Sequence, residues 1–114
     1  MQEHFTLSII HILFIVPLFL YIGFKRSDMP QWLYTAVFAI GIVILLYHGY
    51  KLFIRLQNKS PIWVNAIHIL FIAPLLIYIG YSKKETPRFA YELMLMLGFA
   101  AGGYHLFSLV KQLN

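Results

Sequence analysis

Four apolar runs of about 20 residues dominate this chain: roughly Phe5 to Phe24, Gln31 to Phe53, Ile62 to Tyr81 and Phe89 to Val110. An α-helix of that length rises about 30 Å, the thickness of a bilayer's hydrocarbon core. No run alternates apolar and polar residues with a period of two, which argues against a β-barrel. In lipid the backbone must bond to itself, and helices do that segment by segment. Composition agrees: 61% of the 114 residues are hydrophobic and 11% charged, against about 25% charged in soluble domains. A small soluble domain leaves too much surface exposed to hide so much apolar material. The first run ends at Lys25-Arg26 and follows MQEHF rather than a basic start, so a retained helix is expected instead of a cleaved signal peptide.

The breaks between runs are short and polar: FKRSDMPQ, LQNKSP and YSKKETPR. Pro30, Pro61 and Pro87 suit the first turn of the helices they precede, and Ser60 is a candidate N-cap for the third. Trp32, Trp63, Tyr34 and Tyr91 stand near helix ends, as interfacial rings do. The net charge of +5 is carried in clusters between the apolar runs, a pattern suited to anionic headgroups rather than to nucleic acid. With no cysteine, disulfides, thiolate metal sites and thiol catalysis are excluded.

The chain repeats itself. HILFIVPLFLYIG from His11 returns as HILFIAPLLIYIG from His68, and the match continues without a gap at a spacing of 57 residues. Pro30 meets Pro87, Tyr34 meets Tyr91, Gly41 meets Gly98, and Tyr47-His48 meets Tyr104-His105. The expected architecture is an all-α integral membrane protein of one domain, with four transmembrane helices formed by two tandem helical hairpins, residues 1–57 and 58–114. Two crossings per unit make the repeats parallel, related by an axis along the membrane normal. Both termini and the middle loop then share one face. Lys51, Arg55, Lys59 and Lys111 mark that face, and Lys25, Arg26, Lys83, Lys84 and Arg88 the other, which leaves the side open under the positive-inside rule.

Each hairpin keeps two histidines inside its spans. Counted along the helices, His11, His48, His68 and His105 fall roughly 8–10 Å below the terminal face, so a single layer of four imidazoles in one leaflet is expected. Ser8 and Asn65 lie three residues before His11 and His68, on the same helix face. Gly98 and Gly102 form a GxxxG before His105, which admits a close backbone or a flat ligand. Pro17 and Pro74 should kink the odd helices and free the carbonyls of Leu13 and Leu70. Tyr47 and Tyr104 read as packing residues, and Lys51, Arg55 and Lys59 as a solvated extension of the second helix.

Ionisable groups within spans are costly and tend to mark function. Neutral imidazole is a common metal ligand, and two on facing helices hold a haem iron from both sides. The first expectation is therefore a cofactor at His11, His48, His68 and His105: haem b, one per hairpin, or a divalent transition metal among the four. Ser8, Asn65, Gly98 and Gly102 would support it. A second class is a proton or ion conductor using the histidine layer, in a homo-oligomer because four helices enclose little space. A third is a structural or assembly protein without cofactor, its histidines satisfying one another. No lysine lies deep in a span, no phosphate-binding loop appears and no carboxylate is central, so catalysis ranks last. The expected partners are the lipid bilayer and further copies of the chain, not nucleic acid.

The pattern His11-Ile-Leu-Phe, Pro17-Leu, Tyr21-Ile-Gly23, Pro30, Gly41 and Leu46-Tyr47-His48-Gly49-Tyr50-Lys51 resembles short uncharacterised polytopic membrane proteins of giant DNA viruses and related environmental viral sequences. The second copy departs from it at Leu106-Phe107-Ser108. The resemblance implies a viral source and carries no established activity; it lends weight to the structural class.

Overall fold

A computed structural model describes the backbone of residues 2–113, with side chains from Phe5 onward. All regular structure among the described residues is helical. The first rod, α1, is α-helical over Gln2–Ile10, widens to a π turn over His11–Ile15 and returns to α over Val16–Lys25. Next comes α2, Gln31–Gln57, unbroken. The third rod, α3, repeats the first: Trp63–Ile67, a π turn at His68–Ile72, then Ala73–Ser82. The last, α4, runs Arg88–Leu113. Four helices among the described residues are long and apolar enough to cross a membrane.

The π turns have a local cause. Proline lacks an N–H and its ring collides with the carbonyl four residues earlier. One residue before each mid-helix proline, the N–H of Val16 bonds the His11 carbonyl and that of Ala73 the His68 carbonyl, the five-residue spacing of a π turn. The expected kinks at Pro17 and Pro74 thus take the form of a widened turn that starts at a histidine in both rods.

The connections are stapled by their own backbone. Ser60 N–H bonds Arg55 O at 2.9 Å and Lys59 N–H bonds Leu56 O at 3.3 Å, closing a Schellman motif with Lys59 at a positive φ of 56°. Ser60 is therefore used to end α2 rather than to cap α3, whose N-cap is Ile62 with no side-chain bond. Pro30 stands immediately before α2 as its N-cap, and Pro61 two residues before α3. Thr86 donates its hydroxyl to Lys83 O at 2.6 Å after α3.

Two compact units form. One takes in the chain up to Arg26 and from Pro87 onward, so that α1 packs on α4; the other, Ser27–Thr86, packs α3 on α2. Glycines set the approach in each. A side chain at Gly98 would meet Phe19 and Leu20 of α1, and one at Gly41 would meet Leu76 and Ile77 of α3. Gly23 faces Leu95, and a Cβ at Gly80 would fall 2.5 Å from the Phe38 backbone nitrogen. These two glycine contacts of the first unit thus recur in the second 57 positions away. The cores match as well: Phe19, Ile22, Tyr91 and Met94 are buried in one, Leu76, Ile79, Tyr34 and Val37 in the other. Tyr34 and Tyr91 are buried in these helix pairs rather than turned out like Trp32 and Trp63, which are 69% and 55% exposed. Only 11–33% of each apolar span is buried inside the protein.

Candidate functional site: paired imidazoles

Each unit brings two histidines face to face. In the α1/α4 pair the rings of His11 and His105 stack with centroids 4.3 Å apart and planes 25° from parallel. In the α2/α3 pair His48 and His68 stack at 4.0 Å and 18°. All four side chains are half-buried. The stacks join an odd helix from one sequence half to an even helix from the other, so the ring partners are not those of one hairpin.

The ring nitrogens are differentiated. His11 Nδ1 lies 2.7 Å from Leu7 O, and His68 Nδ1 lies 2.7 Å from Val64 O, one helical turn back in each case. His48 Nδ1 lies 2.9 Å from Asn65 Oδ1 on the facing helix. A carbonyl oxygen only accepts, so in all three Nδ1 carries the proton, and in the neutral ring Nε2 carries the lone pair. Tyr47 stands edge-on to His48 and Tyr104 edge-on to His105, centroids 5.1 Å apart in both. These tyrosines, read from the sequence as packing residues, are neighbours of the imidazoles.

Asn65 is buried and Ser8 is fully so, as befits a polar stripe turned into a helix pair. Gly98 and Gly102 lie against Phe19, Leu20 and Val16, so the GxxxG is filled by the apolar side chains of α1. Among the described residues no group of three or more His, Cys, Asp or Glu stands together to hold a metal ion.

The stacks bear directly on haem. Two axial imidazoles must aim their nitrogens at one iron from opposite sides, and metal–nitrogen bonds are about 2.0–2.1 Å. Lone pairs lie in the ring plane; rings stacked within 4.3 Å run them side by side and leave no slot for a macrocycle. Neither pair clamps a haem as it stands.

No protein-family model, curated protein or solved structure matches the chain. Function therefore rests on the pairs themselves. The sequence missed the carbonyls of Leu7 and Val64 as histidine partners, although their spacing of four residues before each histidine was a usable signal. It also missed Tyr47 and Tyr104, whose ring contacts depend on side-chain rotamers.

Proposed function

We propose that the chain is a multi-pass integral membrane protein that binds a transition-metal ion at each of its two histidine pairs. Its architecture in this reading is two parallel hairpin repeats, with both termini on one side. The observation that carries the metal assignment is the pinning of Nδ1. Histidines that ligate metals commonly donate their other nitrogen to a carbonyl or amide, which fixes the ring and leaves the second nitrogen as the donor atom. His11, His48 and His68 have that arrangement. Imidazole donors suit copper, zinc, nickel or iron. Haem is the weaker form of this proposal because of the stacking distance.

The test is metal analysis and an absorption spectrum of the purified protein. Stoichiometric metal that falls by half in His48→Ala and vanishes in His48→Ala/His105→Ala supports the reading; a Soret band would restore haem instead.

One observation favours a second reading. Stacked rings tied to carbonyls are already satisfied without any ligand, as a structural protein requires. The resemblance to giant-virus membrane proteins supplies a setting for it, assembly within a virus-derived membrane. In that case the preparation is colourless and metal-free, and His11→Ala lowers thermal stability without changing any spectrum.

A further inference from the structure

The end of α2 is built differently from the other connections. Its 27 residues rise about 40 Å, against a hydrocarbon core of about 30 Å. Trp32 near its start, strongly exposed, is an interfacial anchor. The surplus of about two turns then falls at the far end, from Lys51 to Gln57. Lys51 and Arg55 share one face there, and Lys59 follows in the Schellman turn. Tyr50, Phe53 and Leu56, each exposed, occupy the opposite side. From Met29 through Lys84 the chain contains no Asp or Glu, and no carboxylate pairs with these three cations among the described residues. Arg55 Nη1 reaches Pro61 O at 3.4 Å, which holds its guanidinium over the α2–α3 turn.

At the opposite end of the same helix pair, which carries Lys83 and Lys84, Lys84 is used internally. Lys84 Nζ donates to Ser27 O at 2.7 Å and Met29 O at 3.3 Å and sits 5.9 Å over the Tyr34 ring. Asp28 and Glu85 stand in those turns as well. One end is neutralised by its own chain; the other presents positive charge beside aromatic and aliphatic side chains.

We propose that Lys51, Arg55 and Lys59, with Tyr50 and Phe53, form a docking surface for the headgroups of anionic phospholipids in the adjoining leaflet. This rests on the membrane reading and is independent of the histidine pairs. At this end of a spanning helix, Tyr50 and Phe53 stand at headgroup level as interfacial rings do, while the cations meet the phosphate and carboxylate groups of the anionic lipids. Each cation near an anionic surface strengthens association by about fivefold.

Trp63, exposed at the start of α3, is four residues past Lys59 and reports on this end. The full chain carrying Trp32→Phe is reconstituted in phosphatidylcholine vesicles containing a minor fraction of either brominated phosphatidylserine or brominated phosphatidylcholine. The expected result is quenching of Trp63 by the brominated serine lipid several-fold beyond its mole fraction, weakened by salt. The excess is lost in Lys51→Gln/Arg55→Gln/Lys59→Gln and kept in Lys84→Gln. Equal quenching by the two lipids, or an excess that survives the triple substitution, overturns the proposal. Quenching by neither lipid, with release of the protein by alkaline carbonate, overturns the membrane reading itself.

Discussion

Lys83 adopts φ 54° and ψ −128°, and Arg26, 57 residues earlier, adopts φ 53° and ψ −129°. Side chains avoid that region and glycine does not. Lys83→Gly is expected to raise stability by about 1 kcal/mol, seen as a higher midpoint in thermal unfolding. Glycines at helix contacts behave oppositely. Gly80→Ala pushes a methyl into the Phe38 backbone, which cannot swing aside as a side chain does, and should cost about 1–3 kcal/mol. Gly49, with nothing within 4 Å of its would-be Cβ, should gain up to about 1 kcal/mol as alanine through helix propensity. Asn65→Ala removes the acceptor of His48 Nδ1. The metal reading expects a 10–100-fold weaker metal affinity in that variant by isothermal titration; unchanged affinity would detach Asn65 from the site.

At the scale of the helix, the π turns decide which way His11 and His68 point. A π turn is one extra residue absorbed without turning the flanking segments relative to each other. Closing it into α geometry with all residues present would rotate His11 by about 100° relative to Phe19. Deleting Leu13 together with Pro17→Ala should therefore yield a straight α1 that keeps both faces and unfolds near the parent temperature. The same one-residue deletion at Leu93, inside the regular helix of α4, turns Tyr91 and Ala90 out of register with Met94 and Gly98 and should abolish cooperative unfolding. In lipid this matters more than in water, because helix association there depends on fitted van der Waals contact rather than on hydrophobic burial.

For the whole molecule, the decisive quantity is the large apolar surface left facing outward, including Leu13, Phe14, Leu70, Phe71, Phe99 and Phe107. Soluble monomers rarely expose patches beyond a few hundred Å², and this exposed surface supports the proposed bilayer setting. The proposed hairpin topology makes a directional prediction. Epitope tags at either terminus, or inserted after Asn58, should be accessible from one side of a sealed vesicle, and a tag inserted after Ser27 only from the other. A tag at 58 that reports the side of the tag at 27 would break the parallel-repeat architecture.

Helix number, length and the places of the four histidines were legible in the residue order, because hydropathy and turn chemistry act over a few neighbours at a time. The 57-residue echo carried further: whatever helix pair formed once had an equivalent to form again, and the contacts of Gly23 with Leu95 and Gly80 with Phe38 obey it. What the order of residues left undetermined was the partner. His48 and His105 occupy matching places on α2 and α4, each with a glycine seven residues earlier, so His11 has the same local reason to face either. Duplication makes those alternatives degenerate in any local signal. Only packing separates them: Gly98 admits Phe19 and Leu20, Gly41 admits Leu76 and Ile77, and with those contacts made the imidazoles stack as His11 on His105 and His48 on His68.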